Sequence, residues 1–342
     1  MCQHRPIGFP IQLRRRGGLA ASQWAGDIVL EKNNYSTEPL QSPRIGGAQA
    51  WMVAARPRSL PVAIGPVVVG ASFGYLHAGN IDIVAALLAL AAALMMHIIV
   101  NLQHDVGYTV RGGDRTGTRT GLPRATANGW LSVRQVRVAI VILSLVSVGL
   151  GIALVADRGW PVLAIGAISL MAALAYMGGP KPIAYTPFGE LTVMVFFGLV
   201  AVCGTAWLLT GSLDLADVLA ALSVGSLAAA ALAVNNHRDI AHDREVGRRT
   251  FAVAFGTRAS AALFGALLFF PFAALPAIAF AVASPALLLP VLLLPGGWRL
   301  RRDFGSCRPG LAFNQVLFRT FVFSLQFAGF LSAGALITRF WR

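Results

Sequence analysis

An all-α, polytopic membrane protein is the fold class this sequence predicts, and three observations predict it. Of the 342 residues, 56% are hydrophobic and only 12% charged, whereas a soluble domain is roughly a quarter charged. Apolar runs long enough to cross a hydrocarbon core of about 30 Å recur along the whole chain. Those runs are continuous rather than alternating, which excludes a transmembrane barrel.

Residues 1–48 contain Arg14, Arg15 and Arg16 but no apolar stretch of signal-peptide length. They read as a polar cytosolic extension, disordered by composition. Residues 49–342 form the membrane domain, with spans expected at 59–77, 81–100, 138–156, 160–177, 189–210, 215–234, 259–280, 283–297 and 316–337. The seventh and eighth come from one apolar run, 261–296, that is too long for a single crossing and carries Pro271, Pro276, Pro285, Pro290 and Pro295. A break near Ser284–Pro285 divides it, leaving a short second crossing. With the N-terminus in the cytosol, every Lys and Arg except Arg158, Arg339 and Arg342 falls on the cytosolic side. The formal charge of +14 therefore records topology by the positive-inside rule rather than nucleic-acid binding. Cys2, Cys203 and Cys307 are too scattered for a disulfide framework or a metal spacing.

Three polar segments lie on the cytosolic side. The first follows the second span and reads NLQHDVGYTVRGGDRTGTRTGLPRATANGW, residues 101–130. The second follows the sixth span and reads NNHRDIAHDREVGRRT, residues 235–250. Each opens with Asn and has Asp four residues on, at equivalent ends of helices four spans apart, which suggests a diverged parallel repeat. Residues four apart share a helix face, so His97, Asn101 and Asp105 make one stripe, and Asn235, Asp239 and Asp243 another. Carboxylate and amide oxygens are hard ligands suited to Mg²⁺, which completes its shell with water and phosphate oxygens. Solvated helix-end charges account for either stripe alone, but not for Asn-x₃-Asp occurring twice. The third segment is YMGGPKPIAYTPFGE, residues 176–190, a rigid turn whose lone basic group is Lys181. It is read as a phosphate anchor or, more blandly, as a topology anchor. His97 either lines a cavity or packs against backbone. A transporter is the rival from another class, but transporters place ionisable groups near mid-membrane. Here the span interiors lack Asp, Glu, Lys and Arg beyond their first turns.

At these residues the chain resembles the UbiA superfamily of intramembrane prenyltransferases, in particular its 1,4-dihydroxy-2-naphthoate branch. The likeness runs from about residue 50 to 338 through WMVAARPRSLPVAIGPVVVG, GLPRATANGWLSVRQVR, GGPKPIAYTPFGELTVMVFFGLVAVCGT, NNHRDIAHDREVGRRTFAVAFG and GLAFNQVLFRT. The resemblance implies nine helices around a cavity open to lipid, a bacterial cytoplasmic membrane location, and two aspartate-rich motifs holding Mg²⁺ and a polyprenyl diphosphate. In the second motif it assigns Asp239 and Asp243, with Asn235, Asn236 and Arg238 around them. Lys181 matches the diphosphate-gripping position, Tyr176 the tyrosine near the reacting carbon, and Arg124 the basic loop. The first motif departs from the pattern. Its window is His104, Asp105, Val106, Gly107 and Tyr108, so Tyr108 stands where the family has a second carboxylate, while Asn101 and Asp114 are retained. The implied chemistry is Mg²⁺ at Asp105, Asp239 and Asp243, with Asp114 as a substitute ligand. Lys181, Arg124, Arg238 and Arg248 would take the diphosphate charge and Tyr176 would face the allylic cation. The implied acceptor is 1,4-dihydroxy-2-naphthoate. Another aromatic ring, or a cyclisation on the same fold, stays open as an alternative.

Overall fold

The computed structural model describes residues 46–114, 121–307 and 310–342, so most of the expected 1–48 extension lies outside the described residues. Those residues form helices and no strands, and eight of the helices are long and apolar enough to cross a membrane. A short helix, α1 (Gly47–Ala55), ends where Arg56 takes a left-handed conformation, φ 53°. A 3₁₀ turn over Pro57–Ser59 leads into α2 (Pro61–Ala78). Asp82 caps α3 (Ile83–Val110) by accepting from the Ala85 amide at 2.9 Å. A Ser132–Gln135 capping box starts α4 (Val133–Arg158). After α5 (Trp160–Met177), α6 (Gly189–Met194) runs without a break into a π-helix, Val195–Cys203, and then α7 (Gly204–Thr210). Then follow α8 (Leu215–Arg238), the short α9 (Ile240–Glu245), α10 (Phe251–Val282), α11 (Leu294–Ser306) and α12 (Phe313–Phe340). Inside α10, Gly256 at φ 82° sets the first turn off from the rest, a conformation only glycine adopts without strain.

The expected eighth span is not one helix. Ala283 turns left-handed at φ 52° and Ser284 is extended, so the break falls where the prolines placed it. Beyond it, Pro285–Leu293 is a 3₁₀ helix that passes into the amphipathic α11. Pro285, Pro290 and Pro295 each remove an amide donor, which disfavours a regular α ladder. The two pieces contact α12 near both of its ends, and the segment is not among the eight helices long and apolar enough to cross. Ser284 bonds Thr338 at 2.6 Å, and at the other end Asp303 pairs with Arg319 at 2.7 Å.

Packing divides the helices around a central space. The larger core joins α2, the π-helix, α8, α10, the 3₁₀ segment, α11 and α12, and α8 is buried along nearly its whole length. The smaller core joins α1, α3, the loop at Ala125–Leu131, α4 and α5. Lipid offers no hydrophobic drive for helices to associate, so close backbone contact between small residues matters. Gly225 of α8 illustrates it: a Cβ there would sit 2.5 Å from the Met194 carbonyl oxygen and 2.7 Å from the Gly198 Cα. Aromatic rings close the motif end of the larger core. Phe264 stacks on Phe304 at 4.3 Å, and Phe304 meets Phe313 edge-on at 5.1 Å, contacts worth about 0.5–1.5 kcal/mol each beyond their buried area.

Candidate active site

Between the two cores lies a cavity of about 680 Å³, walled by α2 to α8, α12 and the segment around Arg56–Ser59. Its depth is apolar. The π-helix has five residues per turn's hydrogen bond instead of four, and this wide coil presents Phe196, Phe197, Val200 and Ala201 to the cavity. Its mouth is polar and basic, lined by Asn101, His104, Tyr108, Arg124, Asn235, Arg238, Asp239 and Arg248, with Tyr176 on the wall.

The second aspartate segment builds one side of the mouth. Helix α8 ends at Asp239, whose backbone (φ −96°, ψ 11°) leaves the helix before α9 begins. Asn235 and Asp239 therefore occupy the same face at the last turn. Arg238 grips the Asp239 carboxylate with two bonds, Nε to Oδ1 at 2.8 Å and Nη2 to Oδ2 at 2.6 Å. Its Nη2 also donates to Asn235 Oδ1 at 2.6 Å and its Nη1 to Asn314 Oδ1 at 2.7 Å. Such forked, charge-assisted pairs fix orientation as well as charge. One helical turn on, Asp243 is fully buried and, like Asp105, is not part of the cavity wall. Its Oδ1 accepts from Tyr108 at 3.1 Å and from Arg248 Nη1 at 2.6 Å, while its Oδ2 has no partner among the described residues. Burial pushes the Asp243 carboxyl above the ordinary carboxylate range, and Arg248 opposes that shift. Asn236 points elsewhere: its amide donates to Glu190 Oε1 at 2.9 Å, in the core behind the cavity.

The first aspartate segment is built differently from its expected role. Asp105 does not line the cavity. Its carboxylate accepts from the Ala125 and Thr126 amides at 2.9 and 2.8 Å and from the Thr126 hydroxyl. Here the side chain holds the 124–126 loop rather than facing the cavity as the Mg²⁺ expectation placed it. That loop in turn places Arg124 over the Tyr108 ring, 3.8 Å from its centroid, with Nη1 donating to the His104 carbonyl. Asp114 pairs with Arg124 Nε at 3.4 Å and is not part of the cavity wall. Tyr108 occupies the position of the missing carboxylate and bridges the segments: it donates to Asp243 and accepts from Arg248.

Lys181, expected at the diphosphate, stands apart from the mouth. It is exposed and stands off the cavity wall, because Gly179 at φ 70° and the flanking prolines turn the segment outward. Arg111 pins that turn instead, donating to the Met177 carbonyl at 2.8 Å and the Gly179 carbonyl at 2.5 Å. Tyr176 lies on the cavity wall, its ring 5.3 Å from that of His104. Arg56 and Arg58 line the cavity without having been assigned a role. The signal for them was the basic pair flanking Pro57 just ahead of the first span. Glu190, behind the wall at the start of α6, is a buried carboxylate whose Oε2 has no partner among the described residues.

An apolar chamber inside a helical membrane bundle, with fixed arginines and Asp239 at its polar mouth, defines the class as an intramembrane enzyme. Residues 63–304 match the UbiA prenyltransferase family, and the chain belongs to that family. It is a prenyltransferase and a multi-pass membrane protein. Among curated relatives, the 1,4-dihydroxy-2-naphthoate octaprenyltransferase of Mycobacterium tuberculosis is 35% identical over 84% of this chain and 98% of its own length. The enzyme of that name from Escherichia coli is 35% identical over 62% of this chain and 70% of its own. Among solved structures, a UbiA homologue from Archaeoglobus fulgidus bound to DMAPP and Mg²⁺ superposes with a TM-score of 0.61 at 16% identity, covering 84% of this chain and 99% of that one. The apo UbiA homologue from Aeropyrum pernix gives 0.58 at 18% identity over 86% and 98%. These two establish the fold.

Proposed function

We propose that this chain transfers a polyprenyl group from its diphosphate to 1,4-dihydroxy-2-naphthoate, with loss of CO₂, as a step of menaquinone biosynthesis. The observation that carries the reading is the join of a basic, aspartate-bearing mouth to a long apolar chamber. A substrate with a diphosphate head and an isoprenoid tail matches that division of polarity. The naphthoate acceptor rests on the names of the relatives and on Arg56 and Arg58, whose charges suit a ring carboxylate in the cavity. The Lys and Arg distribution supports a cytoplasmic membrane with the N-terminus and the mouth on the cytosolic side.

The residues at the α8–α9 corner fit a magnesium ion. Asn235 and Asp239 offer hard oxygens on the cavity wall, and Asp243, buried behind it, keeps an oxygen, Oδ2, with no donor among the described residues. Bound there, the ion would neutralise diphosphate charge as the allylic C–O bond opens. The chain's own contribution is positional. Arg124, Arg238 and Arg248 are held by neighbours before substrate arrives, so they stabilise developing charge with little reorganisation. Tyr176 presents its ring to the wall where the allylic carbon would lie, a face that favours cationic charge. The apolar chamber excludes water that would otherwise trap the cation as an alcohol.

The test is a transfer assay on membranes containing the full chain, with Mg²⁺, a long-chain polyprenyl diphosphate, and 1,4-dihydroxy-2-naphthoate or 4-hydroxybenzoate. The expected product is a prenylated naphthoquinol, formed only with Mg²⁺ and lost on chelation by EDTA. Diphosphate release without prenylated naphthoquinol would reject the acceptor, and no diphosphate release from folded protein would reject the reaction.

A further inference from the structure

One buried polar side chain on the cavity wall is left unused by this chemistry. His97 of α3 is 8% exposed and lines the cavity four residues before Asn101, with its ring edge-on to Phe197 at 5.5 Å. Its bonding can be counted through Ser59. The Ser59 hydroxyl donates its one proton to the Arg56 carbonyl at 2.8 Å. The same oxygen accepts from Asn101 Nδ2 at 3.2 Å and lies 2.8 Å from His97 Nε2. A hydroxyl whose proton is already given can only accept, so Nε2 carries the ring hydrogen. Nδ1 is then a bare lone pair, and it has no partner among the described residues. A buried acceptor left unpaired is costly and uncommon, and the group it lacks is a donor. Asn101 also bonds the Ala55 carbonyl at 2.9 Å, so the ring is held through Ser59 by a network tied to two helices rather than left free to turn.

We infer that His97 Nδ1 receives the acceptor's ring hydroxyl and takes its proton while the new carbon–carbon bond forms. This rests on the aromatic-acceptor reading above, in which Arg56 and Arg58 of the same cavity supply charge for the ring carboxylate that neighbours that hydroxyl. The step balances without any further reagent. The prenyl C–O bond breaks and its electron pair leaves on diphosphate. The ring carbon bearing the carboxylate bonds to the prenyl carbon, and the neighbouring hydroxyl passes its proton to Nδ1, becoming a ring ketone. The carboxylate is now β to that ketone, so its bond to the ring breaks, CO₂ departs, and the electron pair returns through the ring to oxygen. That oxygen takes the proton back from the imidazolium. His97 ends neutral, as it began.

The experiment compares the full-length chain with His97→Gln and His97→Phe. A glutamine amide accepts a hydrogen bond but does not take the proton, so His97→Gln is expected to keep its KM for the naphthoate and lose about 100-fold or more in kcat, the usual range for a general base. His97→Phe is expected to lose both. Thermal stabilisation of the protein by Mg²⁺ with geranyl diphosphate should be unchanged in either variant, since the donor half of the site is intact. A naphthoate methylated at the hydroxyl beside its carboxylate should be a slow acceptor for the unmodified chain and no slower for the variants. Three results would overturn the inference: kcat within about threefold of the unmodified chain, loss of the geranyl diphosphate stabilisation in both variants, or full-rate use of the methylated acceptor. Failure of the unmodified chain to prenylate the naphthoate at all would instead bring down the acceptor reading, and this inference with it.

Discussion

Asp105 and Asp239 follow an asparagine at the same spacing, yet their surroundings make them different chemical objects. Asp239 keeps its carboxylate on the cavity wall in the fork of Arg238, whereas Asp105 accepts from two backbone amides and a hydroxyl behind it. The two asparagine substitutions should therefore fail in different ways. Asp239→Asn is expected to cut turnover by at least ~100-fold with the protein still folded, and to abolish stabilisation by Mg²⁺ with geranyl diphosphate in a thermal-shift measurement. Asp105→Asn turns an acceptor into a partial donor against buried amides, a loss of about 1–3 kcal/mol. It should lower the midpoint of unfolding while the Mg²⁺-dependent shift survives. Equal loss of that shift in both variants would return Asp105 to the metal. The α8 corner was readable because i, i+4 spacing puts Asn235 and Asp239 on one face whatever lies around them. The orientation of Asp105 was not, because its partners are amides some twenty residues away, and an amide leaves no mark in residue identity. Lys181 escaped for a related reason: the direction of its turn depends on the positive φ of Gly179.

At the scale of elements, composition and hydropathy placed the spans, and the helices extend past several of them. The second helix was expected to cross at 81–100, but α3 continues to Val110 and so carries His104, Asp105 and Tyr108 in helical register. The π-helix in the span expected at 189–210 had no sequence signature, because any run such as VFFGLVAVC satisfies an α ladder equally well. What distinguishes it is contact with α8 across Gly198 and Gly225. Gly225→Val should place methyl groups against the Met194 carbonyl and force α6 and the π-helix outward. The expected cost is about 1–3 kcal/mol of overpacking, measured as lower thermal stability in detergent. Loss of turnover larger than the stability loss explains would accompany it, because the same helix supplies the wall at Phe196 and Phe197. Unchanged stability would show that the crossing has room to spare.

For the whole molecule, the chamber decides which isoprenoid is accommodated, and its walls come from nearly every helix. Ala201 lies on the π-helical wall, where a larger side chain would fill space the tail needs. Ala201→Trp is expected to shift the kcat/KM ratio toward geranyl diphosphate over a long-chain diphosphate by roughly 10-fold or more, since a few methylenes excluded from an apolar pocket have effects of that order. A parallel fall for both donors would show general damage rather than a shortened chamber. The bridge from Tyr108 to Asp243 and Arg248 has a consequence at this scale too. A second carboxylate at Tyr108 would repel Asp243 and depend on a cation to draw α3 and α9 together. A neutral phenol does the joining without one. The two sides of the mouth are thus stitched together in the resting enzyme, and a fall in cellular magnesium would stop the reaction without letting the entrance gape.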